Sequence, residues 1–229
     1  MLAVQRLILL GHRGDRRLAR ENTIAAFDRA LENGCDGFEF DVRLTLDHQA
    51  VVFHDAKISG VAFASSPFSR LAALDQARAV CDRLCLLEEV MARYASSAFL
   101  DIELKVPGLE AKVIELVRRY PPKRGYIVSS FLPGVVESMA EREPNLPLGF
   151  IVQSRHILPR WREMPVEYLI SNYRLVSADL VEACHDAQRK ILVWTVNKPF
   201  SMRRMANLGV DGIISDDTKL MVATLGQSR

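Results

Sequence analysis

Glu39 and Asp41 stand two residues apart in Gly37-Phe38-Glu39-Phe40-Asp41-Val42-Arg43, with apolar side chains between them. Alternation of period two is a strand signature. Phe38, Phe40 and Val42 take one face, and Glu39, Asp41 and Arg43 take the other. Carboxylates two residues apart on a strand lie roughly 6.5 Å from each other, so one cation can sit between them. Asp101-Ile102-Glu103-Leu104-Lys105 repeats the alternation and adds Glu103 as a third acid. Three hard oxygen donors suit Mg2+ or Ca2+ better than zinc, which prefers nitrogen and sulfur. The competing reading is a structural ion-pair network built on Lys105. Any one of these acids alone would favour that network; three acids on two strands favour a metal site.

Two histidines each end a short apolar run, His12 after Leu7–Leu10 and His54 after Val51–Phe53. A single histidine there reads as a structural residue. Two beside acids read as an acid/base pair, because imidazole titrates near neutral pH. Arg13 and Lys105 contribute a forked guanidinium and an ammonium, which together with a cation match the oxygens of a phosphate. Arg13 has an equal alternative as a salt-bridge partner of Glu21 or Asp15. Trp194, in Val193-Trp194-Thr195-Val196-Asn197, reads either as a substrate wall or as core filling. Arg203-Arg204 reads as a solvated helix face.

The elements that must position these groups alternate. Strands are expected over Leu7–Leu10, Gly37–Leu44, Ala50–Phe53, Ala98–Lys105, Tyr126–Ser130, Leu148–Val152, Tyr168–Ser171, Ile191–Val196 and Gly212–Ser215. Helices are expected from Asn22, with Asn22 as cap and Asn33-Gly34 as stop, and over Leu86–Tyr94, Leu109–Tyr120, Pro133–Arg142, Ala178–Gln188 and Pro199–Leu208, with a short one at the C-terminus. Ala56–Leu74 reads as a loop, and no helix is well marked after Val152. About eight strands separated by helices is the pattern of a (β/α)8 TIM barrel, whose chemistry sits at the C-terminal ends of its strands. The polar residues collect there: His12, Glu39, Asp41, Glu103, Lys105, Ser130, Trp194, Asn197 and Asp216.

A chain of 229 residues suits one barrel domain spanning 1–229, and 49% apolar residues suffice for its core. A net charge of +2 gives no overall attraction to nucleic acid or anionic lipid, so any cationic function is local. Cys35, Cys81, Cys85 and Cys184 lack zinc-site spacing and read as buried thiols of a reducing compartment. The N-terminal apolar run is interrupted by Arg6 and is too short for a secretory signal, and no run approaches a membrane span. These features point to a cytoplasmic protein with a small-molecule substrate, no nucleic acid partner and no integral membrane contact.

The ordered motifs resemble the glycerophosphodiester phosphodiesterase family, grouped by fold with the phosphatidylinositol-specific phospholipases C. They are Gly11-His12-Arg13-Gly14, Glu21-Asn22-Thr23, the Gly37–Asp47 strand, Val51–Asp55, Leu87–Val90, Glu103-Leu104-Lys105, Trp194–Asn197 and Gly209–Asp216, and they span nearly the whole chain. The resemblance implies metal-dependent hydrolysis of glycerophosphodiesters to glycerol 3-phosphate and an alcohol. It implies Glu39, Asp41 and Glu103 as ligands of Mg2+ or Ca2+, His12 and His54 as general acid and base, and Arg13 and Lys105 as phosphate contacts. Trp194 falls in another matching motif. Ala56–Asp75 departs from the family pattern. It is short and lacks an Arg-Thr-Thr-like run and a glycine-rich stretch, so the organic part of the substrate is where this chain differs. Lysophospholipids cleaved by the same centre are the nearest alternative. A sugar isomerase or glycosidase on the same barrel fits less well, because a neutral sugar needs no anion clamp. A noncatalytic binding barrel is disfavoured, because no expected catalytic position is missing.

Overall fold

The computed structural model describes residues 6–76 and 83–226. Its elements run β1 (Ile8–His12), α1 (Ile24–Glu32), β2 (Gly37–Leu44), β3 (Ala50–Val52), β4 (Lys57–Ile58), β5 (Val61–Ala62), α2 (Phe68–Gln76), β6 (Cys85–Leu86), α3 (Leu87–Tyr94) and β7 (Phe99–Leu104). Then follow α4 (Glu110–Arg119), β8 (Tyr126–Ser130), α5 (Pro133–Arg142), β9 (Leu148–Val152), β10 (Tyr168–Asn172), α6 (Ala178–Asp186), β11 (Lys190–Trp194), α7 (Pro199–Asn207), β12 (Gly212–Ser215) and α8 (Thr218–Leu225).

Strands β1, β2, β7, β8, β9, β10, β11 and β12 pair in parallel in that order, and β12 returns to β1 to close the ring. This is the (β/α)8 TIM barrel that the strand and helix pattern predicts. Register fixes which side chains become neighbours. Pairing of β1 with β2 sets His12 beside Glu39. Pairing of β2 with β7 sets Glu39 beside Asp101 and Asp41 beside Glu103. A one-residue slip would turn every one of these acids outward. Gly37 lets β2 approach β7, since a Cβ there would lie 1.7 Å from the Phe99 carbonyl oxygen.

The alternation in β2 separates two layers. Phe38 and Phe40 face outward to α1 and α3, where Phe38 stacks on Phe27 with centroids 4.1 Å apart and meets Tyr94 edge-on. These rings belong to the large core between barrel and helices. A smaller inner core of Leu10, Phe99, Ile127, Ile151, Tyr168, Ile170, Leu192 and Ile214 fills the barrel.

Two expectations need correction, and the weak helix signal after Val152 holds. Thr23, not Asn22, caps α1: its side chain accepts from the Ala26 N–H, while Asn22 takes a left-handed conformation and turns to Asp41. Ala56–Leu74 is not a plain loop. It holds the β4–β5 hairpin and the start of α2, which pack Ile58, Phe63 and Leu71 onto Val51 in a satellite core. The large apolar residues of α2, Phe68, Leu71 and Leu74, form one short stripe whose partner surface comes from elsewhere in the chain. No α-helix joins β9 to β10; a short 3-10 turn, Leu158–Arg162, spans that gap and buries Trp161. Cys81 lies outside the described residues, and Cys35, Cys85 and Cys184 are free and buried.

Candidate active site

The C-terminal ends of the barrel strands surround a cavity of about 410 Å³. One side is charged: His12, Arg13, Glu39, His54, Asp101, Glu103 and Lys105. The other side is Phe131, Ile151, Ile157, Ile170, Trp194 and Ile214, with Gln153 among them.

Glu39, Asp41 and Glu103 offer carboxylate oxygens within 4.8 Å of one another, and all three residues are buried. Glu39 Oε1, Asp41 Oδ1 and Glu103 Oε1 have no hydrogen-bond donor among the described residues. Lys105 Nζ lies 2.6 Å from Glu103 Oε1 and 3.3 Å from Asp41 Oδ1 and compensates part of the charge of the three acids. Crowding has the expected electrical effect. Burial, then Asp41 and then Glu103, push the Glu39 carboxyl well above its ordinary range. Burial and Asp41 push Glu103 up to about 7 against the opposing pull of Lys105. Burial would also raise Asp41, but Arg13 and Lys105 outweigh it and hold that carboxyl low. A divalent cation relieves such a cluster, and orphaned oxygens on three carboxylates fit a hard cation.

Further groups orient the three acids. The Arg13 backbone N–H donates to Glu39 Oε2 at 3.0 Å. The Asn22 amide donates to Asp41 Oδ2 at 2.8 Å, and its carbonyl accepts from the Asp41 N–H. The tight turn after β1 makes this possible. Arg13 and Asn22 are left-handed, and at Gly14, also at positive φ, a Cβ would meet the Ala26 backbone at 2.5 Å. The two sequence readings of Arg13 therefore coexist. Its Nη1 donates to Glu21 at 2.8 Å, its Nε lies 3.1 Å from Asp41 Oδ2, and it still lines the cavity.

His12 Nδ1 is 2.6 Å from Asp216 Oδ1, and its Nε2 lies 3.9 Å from Glu39 Oε2. The Asn197 amide donates to Asp216 Oδ2 at 2.5 Å, and Asn197 Oδ1 accepts from the Asp216 N–H. Burial lowers the His12 pKa, and the Asp216 hydrogen bond opposes that shift. His54 pairs through Nδ1 with Asp55 at 2.8 Å, and Arg43 Nε donates to the His54 carbonyl at 2.7 Å. The Phe53 N–H donates to the Asp41 carbonyl, so β3 is strapped to the strand that carries the acids.

Asp216, Asn197 and Arg43 were legible only as polar residues at strand ends or on the inward face of β2, not as partners of the histidines. Asp216 lies 204 residues from His12, and no local spacing announces that pair. Asp101 is an addition to the lining. It sits beside Glu39, accepts from the Ser129 hydroxyl at 2.6 Å, and is raised by burial to about 7. Ser130 is structural, bonding the Leu104 carbonyl and the Leu132 N–H. Trp194 serves both of its readings. It packs against the inner core, meets Phe131 edge-on with centroids 5.6 Å apart, and presents a half-exposed face to the cavity. None of the described residues of Ala56–Asp75 lines the cavity.

A profile of the glycerophosphoryl diester phosphodiesterase family matches residues 12–220. The chain is 33% identical to a glycerophosphodiester phosphodiesterase of Caldanaerobacter subterraneus subsp. tengcongensis, over 94% of this chain and 96% of that protein. It is similar to the crystal structure of a glycerophosphodiester phosphodiesterase from Thermotoga maritima, with a TM-score of 0.82 and 25% identity over 95% of this chain and 98% of that one. A phosphodiesterase of Oleispira antarctica, in complex with the product sn-glycerol-3-phosphate, shares the fold with a TM-score of 0.83 and 23% identity, covering 96% of this chain and 97% of that one.

Proposed function

The chain belongs to the glycerophosphoryl diester phosphodiesterase family and is a glycerophosphodiester phosphodiesterase; we propose that it hydrolyses its diesters with Glu39, Asp41 and Glu103 holding Mg2+ or Ca2+ and with His12 and His54 moving the protons. The observation that supports this most strongly is the acid cluster. Three buried carboxylates with orphaned oxygens lie at a cavity also lined by two histidines whose Nδ1 atoms are both engaged by aspartates.

A bound cation would neutralise charge developing on a non-bridging phosphate oxygen. The protein residues do the rest. Arg13 and Lys105 border the same cavity and draw the phosphate against the acid side. Asp216 accepts from the Nδ1–H of His12, which leaves the Nε2 lone pair toward the cavity. Burial favours the neutral ring. His12 is therefore the base that takes the proton of the attacking hydroxyl, from water or from the neighbouring glycerol hydroxyl. His54 lines the same cavity, half-exposed, and gives its proton to the leaving alcohol oxygen. Phe131, Ile170 and Trp194 receive the carbon-bearing part of the substrate.

That apolar wall supports a second reading, a lysophospholipid as substrate of the same centre. The whole span 1–229 would act as one catalytic domain. The free, buried thiols fit a cytoplasmic setting, and no helix among the described residues is long and apolar enough to cross a membrane.

Phosphorus NMR of the purified protein with glycerophosphocholine, with and without added Mg2+ or Ca2+, tests the reading. Metal-dependent glycerol 3-phosphate, absent in His12→Ala and His54→Ala, is expected. Turnover that persists in both variants removes the histidines from the mechanism. Turnover of lysophosphatidylcholine alone makes the lipid the substrate.

A further inference from the structure

The exposed large apolar side chains of the described residues are Leu18, Leu46, Leu132, Ile157 and Phe200. Scattered single apolar residues are ordinary on a protein surface. These are not scattered. Leu18 follows β1, Leu46 follows β2, Leu132 follows β8, Ile157 follows β9 and Phe200 follows β11. Four lie in connections leaving the C-terminal end of a barrel strand, on the face where the cavity opens, and Phe200 lies in the first turn of the helix that follows β11. Beyond that first turn of α7, the helices and the opposite rim contribute none among the described residues. Phe200, at the start of α7, is 76% exposed, and Leu18 is 63% exposed.

Charge on this face is uneven as well. Over the apolar side of the cavity, the stretches that directly follow β9, β10 and β11 (153–162, 173–177 and 195–200) contain no Asp or Glu; in the β9–β10 connection Glu163 and Glu167 come only further along, toward β10. These stretches present exposed Arg155, Arg174 and Lys198, for which no carboxylate partner is found among the described residues. Around the charged side, by contrast, Arg16 and Arg17 are matched by Glu21 and Asp217. Apolar side chains interleaved with unmatched cations form the surface that an anionic lipid bilayer binds. Apolar groups enter the headgroup boundary and cations meet the phosphates, and neither alone anchors well.

We propose that the rim formed by Leu132, Ile157 and Phe200 with Arg155, Arg174 and Lys198 seats this protein reversibly on anionic phospholipid surfaces, with the cavity opening toward the lipid. The net charge of +2 does not predict this, because the attraction is confined to one rim. A second copy of the chain is the competing occupant, and like cations facing each other across such an interface disfavour it.

Sedimentation with vesicles tests the proposal and reads binding without turnover, so its outcome is separable from that of the proposed hydrolysis. The probes are phosphatidylcholine vesicles with and without phosphatidylglycerol, at low and high salt. Binding is expected to phosphatidylglycerol vesicles at low salt, to weaken as salt screens the cations, and to be much weaker on phosphatidylcholine alone. Phe200→Ser should lower partitioning roughly tenfold, and Arg155→Glu with Lys198→Glu should abolish it. Turnover of a water-soluble diester should stay unchanged in each variant. No binding to phosphatidylglycerol vesicles at low salt overturns the proposal. So does equal binding by wild type and Phe200→Ser, or a wild-type dimer in light scattering that Phe200→Ser dissociates.

Discussion

The two sides of the barrel mouth are built by opposite rules. On the side of β1, β2 and β7, nearly every functional atom is fixed by a second polar group. Asn22 and the Arg13 N–H hold Asp41 and Glu39, Asp216 holds His12, and Arg43 holds the backbone of His54. On the side of β8 to β12, the cavity wall is the exposed edge of the inner core, from Ile151 to Ile214, with Phe131 and Trp194 above it. Polar groups need direction, and direction needs partners. An apolar wall needs only shape. In the mechanism proposed above, chemistry at phosphorus belongs to the first side, and choice of the organic substituent to the second. Lys105 joins them, since its ammonium sits 5.4 Å from the Phe131 ring centroid while it contacts Glu103 and Asp41.

Replacing either histidine should have the largest effect. His12→Ala and His54→Ala should each lower kcat by about 10²–10⁴-fold for every diester tested, with a cooperative thermal transition retained. A loss restricted to one substrate would move that histidine to the recognising side. Next comes the cluster. Wild type should gain thermal stability with Mg2+ or Ca2+, and Asp41→Asn or Glu103→Gln should gain little. The gain should be larger near pH 8 than near pH 6 (about a unit either side of the Glu103 value). Glu103 is raised from 4.5 to about 7, so without metal it keeps a proton in the fold that the unfolded chain has released. Its contribution to metal-free stability therefore falls as pH rises from about 4.5 to 7, and the same protonation competes with the cation below 7. A metal-induced shift that does not grow with pH would separate the cluster from metal binding.

Asp216→Asn should act more gently, lowering kcat/KM by roughly tenfold. Its distinguishing mark is the pH profile. Asp216 raises the His12 pKa, so the acid limb should move to lower pH in the variant. An unmoved limb with lower activity would leave Asp216 a merely structural partner. Smallest in rate but most selective should be Trp194→Ala, which should change KM by about tenfold for diesters with apolar substituents and little for small polar ones.

Much of this is legible in the sequence. Alternation in Phe38–Arg43 and Asp101–Lys105 assigned the acids to inward faces, and eight parallel strands then required the acids to share one end. The missing parts share a physical cause. The apolar wall draws one residue from each of several strands between Ile151 and Ile214, and such residues look like any buried strand position. Helix α2 is short, and its stripe of Phe68, Leu71 and Leu74 finds its partners in a satellite core built from β3 and the β4–β5 hairpin, which local patterning does not encode. The weak helix signal after Val152 is legible, and a 3-10 turn with Pro159 near its start and Trp161 buried stands there. The pairing of His12 with Asp216 depends on barrel closure between the first and last strands, which local patterning does not encode.

The most direct measurement is kcat/KM for a series of phosphodiesters that keep one glycerol phosphate and carry increasingly apolar substituents, in wild type, Asp216→Asn and Trp194→Ala. A division of labour across the mouth predicts that Asp216→Asn lowers the whole series by one common factor. Trp194→Ala should flatten the dependence on substituent and leave the small polar members nearly unchanged. A Trp194→Ala loss as uniform as that of Asp216→Asn would contradict the division and put the apolar wall into the chemistry at phosphorus.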